Sequence, residues 1–508
     1  MSASIHDTDL RRLLEDRARS RPGNVFAVFE HARLRYGEFN DMVDRVAASL
    51  HMLGVGQGDR VVCALPNGLE TMCIYFAVAK LGAVNVFVNA QYEADLFAAV
   101  SGSVQPKAYI VDEENIAKLR RFDSPGTRIV VGGGTALRDE EVAYPILLQG
   151  DPARLPSVRI DPGDPVQYIF TSGTTGLPKA CILSHRARLS LSDHVVRLFG
   201  ASEEDRFFGC LPNYHGNIYF AILGALISGG SVAIAKSFQA SRYWDLVRQF
   251  GATLLVLHAV PMNILLTAAP RRDDADNTAR GVLTVGGKFQ EFVTRFGIDS
   301  VLLCYGATEV GLTTLGILSG EAARNAPASY AGRVRDDHQV RIVRPDGTEA
   351  GQGEMGEIQV RARVPYTVFS GYHAASSSSH RPDGSSWYRT NDRGAFDEDG
   401  VLHFYGRLGE SIRVKGEFVP VQYLESLVRE HPAVADCAAI GIASEIGDQD
   451  LVVFVQLRDG TSMAGDELIE FLKPRVPKFM VPKSVEFVAQ FPRAPATLKI
   501  QKNKLLDA

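Results

Sequence analysis

The stretch 171-TSGTTGLPK-179 sets only Thr, Ser and Gly at six consecutive positions, directly after the apolar run Tyr168-Ile169-Phe170. Small hydroxylated residues following a strand suit a loop whose backbone N–H and side-chain O–H groups close around phosphate oxygens, with a lysine supplying a point charge. It is not a Walker A loop, because Pro178 precedes Lys179 and Ala180 follows it. A solvated surface loop has the same composition, so this stretch alone leaves both readings open. Downstream lie 285-VGGK-288, 305-YGATE-309, 389-RTND-392, 406-GRLGESIRVKGE-417 and 497-TLKIQK-502, which bring carboxylates, cations and glycines. Two further glycine clusters, 54-GVGQG-58 and 132-GGG-134, do not open a helix after a strand and read as turns. The six cysteines (63, 73, 181, 210, 304, 437) lack C-x-x-C spacing and read as reduced thiols. Cys304 is read as core, since no base for a nucleophile is evident beside it.

Such residues need a scaffold, and 508 residues exceed one ordinary core, which predicts at least two domains. The first 160 residues alternate patterns: a helix over 40–54 with Gly54 as its stop, a strand over 60–67, a helix over 70–84 and a strand over 85–89. The same rhythm returns between 206 and 258, which argues for parallel sheets covered on both faces. From about 328 the pattern turns to short alternating runs (339–347, 356–363, 401–407) with Asp-Gly turns, read as β-hairpins forming a small barrel. After Gly409 a separate small unit is expected, with helices over 420–432 and 465–476 and strands over 433–442 and 450–457. The fold class is therefore α/β: a large N-terminal domain of parallel α/β sheets with a β-barrel-like part, plus a small C-terminal α+β domain.

Bulk properties exclude several classes. Hydrophobic residues at 45% and charged residues at 22% describe an ordinary soluble chain. A formal net charge of −5 offers no basic footprint for nucleic acid or an anionic membrane. The N-terminus lacks the apolar segment of a signal peptide, and no run is long enough to span a bilayer, so a cytoplasmic protein is expected.

Taken in order, TSGTTGLPK, YGATE, RTND, GRLGESIRVKGE and TLKIQK resemble the adenylate-forming superfamily of acyl-CoA synthetases, adenylation domains and luciferases. PKA in place of PKG, with Gly409 after Arg407, looks like its fatty-acid-transport and carnitine-type CoA ligase branches. The resemblance implies ATP, Mg²⁺ and CoA, acting on a small-molecule carboxylic acid. It implies an N-terminal ATP- and acid-binding domain over 1–407 and a mobile C-terminal domain over 408–508. Thr171, Ser172, Gly173, Thr174, Thr175, Gly176 and Lys179 match the loop around the β- and γ-phosphates, and Glu309 with Thr171 matches the Mg²⁺ site. Thr308 matches a phosphate contact; Tyr305, Gly306, Gly286 and Gly287 match the adenine slot. Asp392 and Arg407 match the grip on the ribose hydroxyls, Lys499 the lysine that swings in for adenylation, and Gly416 the pantetheine channel. His215 matches the ring beside the acyl pocket, whose expected lining includes Asn213, His258 and Gly306. A compact aromatic or short acyl acid is expected, and a homodimer is the default assembly.

Departures from the family pattern accompany these matches. Asn391 stands where glycine is usual, a residue that tolerates left-handed backbone. Leu498 replaces the glycine before Lys499, and Lys288 puts a long cation after the paired glycines. They keep two alternatives open: adenylation with a non-CoA acceptor (a carrier protein or amine) or of nitrite, and a non-catalytic nucleotide-binding homologue.

Overall fold

The computed structural model describes residues 4–505 other than 135, 172–177, 375–382, 409–411, 415, 416, 420, 444–448, 477 and 495–498. Two large sheets form its centre. One has seven strands in the order Glu141–Ala143, Thr127–Val131, Ala108–Asp112, Arg60–Ala64, Val84–Phe87, Pro165–Thr171, Lys179–Ser184. Its neighbours pair in parallel except the last two, which form an antiparallel hairpin. The other has nine strands, and its parallel centre runs Ser300–Ala307, Gly281–Thr284, Leu254–Val256, Arg206–Gly209, Ser231–Ile234, Val25–Phe29. Antiparallel strands close both of its edges.

Both faces of the parallel centres of these sheets are dry, which is why their strands are apolar runs instead of alternating ones. Neighbours along a strand point to opposite faces: Phe207 joins the core between the sheets, while Phe208 joins the outer core under the helix Tyr243–Phe250. The helix Ile218–Ser228 is buried at every position from Ile218 to Leu226, so its all-round apolar sequence marks an interior helix, not a membrane span. Among the described residues no helix is long and apolar enough to cross a membrane.

The predicted helix at 40–54 spans Tyr36–Met52. It begins earlier because the Glu38 carboxylate accepts the Arg35 N–H at 2.8 Å and because Tyr36 and Phe39 are buried on the same face as Val43 and Val46. The expected barrel is corrected: His338–Val343, Gly356–Ala362, Tyr388–Phe396 and Leu402–Arg407 form an open four-stranded antiparallel sheet whose first and last strands do not pair. The C-terminal part has its own core around Val419, Leu424, Val453, Leu468 and Leu472. All six cysteines are buried thiols, and Cys304 directs its Sγ to the Thr284 carbonyl at 3.4 Å, as a core residue would.

Candidate active site

In open α/β sheets, ligands bind beyond the carboxyl ends of the strands. The N-terminal site residues obey that rule in both sheets. Thr171 ends Pro165–Thr171, Asn213–His215 follows Arg206–Gly209, His258 follows Leu254–Val256, Gly286 follows Gly281–Thr284, and Tyr305 to Glu309 close Ser300–Ala307. Positions scattered over 140 residues of sequence are thus gathered on one side of the molecule.

The phosphate-loop candidate is the connection of a hairpin, with Thr171 paired opposite Lys179. Ser172, Gly173, Thr174, Thr175 and Gly176 lie outside the described residues. Lys179 Nζ lies 5.6 Å above the Tyr372 ring, and Tyr372 Oη donates to Glu309 Oε1 at 2.7 Å. Tyr372 therefore joins the loop lysine to the carboxylate of YGATE. Burial, then hydrogen bonding with Tyr388 and Glu309, raises the Tyr372 phenol well above its ordinary value, so it stays a donor. Nothing in the sequence marked this tyrosine, because its role depends on a contact 63 residues away.

Glu309 and Thr308 sit in the turn between two antiparallel strands. Gly306 makes that turn sterically possible: a Cβ there would lie 2.0 Å from the Gly311 carbonyl oxygen and 2.8 Å from Leu312 Cα. Gly306→Ala is expected to displace Glu309 and to lower stability by at least about 1–3 kcal/mol, the usual cost of overpacking. Thermal melts and AMP release measured on the variant check this.

Asp392 and Arg407 face each other in register across two strands, with Arg407 Nε 3.5 Å from Asp392 Oδ1. Asp392 is buried and accepts the Tyr305 hydroxyl at 2.7 Å, and Tyr305 packs on Phe404. The carboxylate and guanidinium thus hang beside the ring expected in the adenine slot. Asn391 adopts φ +57°, the left-handed conformation that its family glycine would take. Gly286 and Gly287 have φ of +64° and +88°. A Cβ on Gly287 would meet Ala259 Cα at 3.0 Å.

Lys288 does not crowd this slot. Its buried side chain runs the other way, and Nζ donates to the Val434 carbonyl at 2.6 Å. Burial, reinforced by the neighbouring Arg458 charge, lowers its pKa to about 8. One helical turn on, Glu291 takes a two-pronged ion pair from Arg458 at 2.8 and 2.7 Å. The helix Phe289–Phe296 is therefore pinned to the C-terminal part at two points.

At the acid-pocket candidate, His215 stacks against Tyr214 with centroids 4.6 Å apart, and Asn217 contacts His258 Nε2. Asn213 is turned inward, and its amide donates to the Leu65 carbonyl at 2.9 Å. Lys499, on an exposed segment, lies close enough for its charge to act on both His215 and His258. Both imidazoles are held below their ordinary value, first by burial and then by neighbouring charge; for His258 the value falls to about 4. Two neutral rings beside one cation make a pocket suited to an anion. Leu498 and Gly416 fall outside the described residues.

The His258 shift has a consequence for stability. Its folded value is depressed, so between pH 6.5 and about 4 the unfolded chain binds a proton that the folded chain refuses. Stability is intact above that window and falls on acidification through it, by at most about 1.4 kcal/mol per pH unit. Denaturant midpoints should therefore drop further for wild type than for His258→Gln between pH 6.5 and 5.

Residues 14–373 match the AMP-binding enzyme family. The chain belongs to that family. Residues 423–496 of this AMP-binding enzyme match the AMP-binding enzyme C-terminal domain. Similar proteins include the crotonobetaine/carnitine–CoA ligases of Salmonella agona (strain SL483) and Salmonella typhi, 26% and 27% identical over 97% of this chain and 98% of each relative. Among solved structures, the anthranilate CoA ligase AuaEII with anthranoyl-AMP superposes with a TM-score of 0.87 at 20% identity, covering 99% of this chain and 97% of that one. ATP-bound MatB from Rhodopseudomonas palustris gives 0.81 at 24% identity, covering 98% and 99%. These two structures share the fold.

Proposed function

We propose that this AMP-binding enzyme is an AMP-forming acid–thiol ligase. It joins a carboxylic acid to ATP, giving an acyl adenylate and pyrophosphate, and then passes the acyl group to the thiol of CoA with release of AMP. The observation that carries the reading is the placement of Lys499, from the C-terminal part, near enough to His215 and His258 for its charge to reach both rings. The convergence of a remote lysine on a neutral pocket is what attack by one anion on another requires. The names of the relatives, CoA ligases of carnitine-type and aromatic acids, supply the acceptor.

In the first step a carboxylate oxygen bonds to the α-phosphorus, the bond to the bridging oxygen breaks, and pyrophosphate leaves with that electron pair. No protein nucleophile takes part. The chain aligns the reactants and offsets the charge building on the phosphates. Loop 171–179 and Lys179 take the β- and γ-phosphates, Thr308 supports them, and Asp392 with Arg407 holds the ribose. Tyr305, Gly286, Gly287 and Gly306 frame the adenine. Thr171 and Glu309 offer the oxygen donors that a hard cation prefers, and Glu309 keeps one oxygen beyond the one that Tyr372 engages, so they fit Mg²⁺. Bound there, the cation neutralises polyphosphate charge. Residues 1–407 act as the nucleotide- and acid-binding domain and 408–508 as the carrier of Lys499, with the pantetheine path near Gly416.

The decisive assay mixes enzyme, ATP and Mg²⁺ with a panel of acids, with and without CoA, and follows AMP. Release that requires both acid and CoA supports the ligase. Release that ignores CoA moves the acceptor elsewhere, and no release with any acid overturns the reading.

A further inference from the structure

Arg188 lies on the interior helix His185–Phe199 and is 5% exposed. It has no carboxylate partner among the described residues. Its Nη2 donates to the Gly216 carbonyl at 2.8 Å, and the guanidinium lies 5.0 Å from the Tyr219 ring centroid and 5.9 Å from that of Phe220. Its Nε is buried with no acceptor. The Tyr75 hydroxyl is buried directly against the Arg188 guanidinium, and it too has no carboxylate partner among the described residues. A buried cation without a counter-ion is costly, and the cost falls when an anion accepts from its free Nε–H beside the hydroxyl.

The place of this pair gives it meaning. Gly216, which Arg188 grips, lies between His215 and Asn217, the two residues of this loop that face the Lys499 end of the pocket. A Cβ at Gly216 would stand 2.4 Å from Ile169 Cδ1 and 3.6 Å from Arg188 Nη1, so the loop is seated directly on the guanidinium. Tyr75 stacks with Tyr219 at 4.4 Å, closing an aromatic wall around the charge.

We infer that Arg188, with Tyr75, receives a second carboxylate at the far end of the acid, so that the substrate class is a dicarboxylic acid. The inference rests on the acid–thiol ligase reading and specifies its substrate. A guanidinium and a phenolic hydroxyl together present donors in the arrangement a carboxylate accepts. A cationic acid such as carnitine would meet a like charge instead.

The test measures kcat/KM for CoA-dependent AMP release with acids matched in length: succinate against butyrate, glutarate against valerate, adipate against hexanoate, with carnitine alongside. Wild type is expected to favour the diacid by about tenfold or more in at least one pair, equivalent to about 1.4 kcal/mol. Arg188→Met should lose that preference, and Arg188→Lys should keep part of it. Tyr75→Phe, which removes one oxygen, should lose diacid turnover more than monoacid turnover and serves if Arg188→Met does not fold. A wild-type preference for monoacids or carnitine, or a preference unchanged in Arg188→Met and in Tyr75→Phe, overturns the dicarboxylate assignment and leaves the ligase standing. Absence of AMP with every acid overturns both.

Discussion

Lys499→Ala is expected to abolish ATP–pyrophosphate exchange while sparing thioester formation from supplied acyl adenylate. In the proposed mechanism the ammonium works in the first step, where two anions must meet and charge grows on the α-phosphate and the departing pyrophosphate. Loss of a single preorganised stabilising donor in such a site typically costs about a hundred- to a thousandfold in rate. Its carrier is well braced. Arg493 pairs with Asp436, and Lys502 Nζ lies 2.6 Å from Glu425 Oε1, so the chain on both sides of Lys499 is anchored to the C-terminal core. With Lys499 carried between these two anchors, removing it should leave the second step with its own machinery intact. Equal loss of both activities would refute the division of labour between the two steps.

Asp392→Ala should cut kcat/KM for ATP by about a hundredfold or more, through KM. Hydrogen bonds to a charged group are worth about 1.5–3 kcal/mol each, and in the proposed site the carboxylate accepts from two ribose hydroxyls. The same substitution leaves the Tyr305 hydroxyl and the Arg407 guanidinium without the acceptor they share. AMP titration by calorimetry separates the two effects. Weak AMP binding by a protein that melts normally supports a ribose grip. Normal AMP binding in a destabilised protein would make Asp392 a structural residue.

Much of this site could be read from the chain because its chemistry is local. Hydroxyls and glycines after Phe170 describe a hairpin connection wherever the strands lie, and Asn391 carries in its side chain the tolerance for the φ it adopts. The alternation of apolar runs and amphipathic helices likewise predicts parallel sheets covered on both faces. What escaped was non-local. Tyr372, Asn217 and Arg188 act through partners that folding brings near, and an aromatic or an arginine in an apolar stretch has no periodic signature of such a role. The barrel expectation failed for a related reason: alternation fixes which face of a hairpin is buried but not whether the first and last strands meet. Lys288 stood out in the sequence only as a long cation after the paired glycines, and its stem bends toward Val434.

That bend bears on the whole catalytic cycle. If Lys499 must withdraw before the thiol enters, the Lys288–Val434 bond and the Glu291–Arg458 pair must part at the same moment. The Glu291 and Arg458 side chains are 37% and 22% exposed, within reach of dissolved ions that weaken such pairs. Ionic strength is then expected to act as a selector: on the proposed two-step cycle, dilute buffer would favour the posture that makes the adenylate and salt the posture that consumes it.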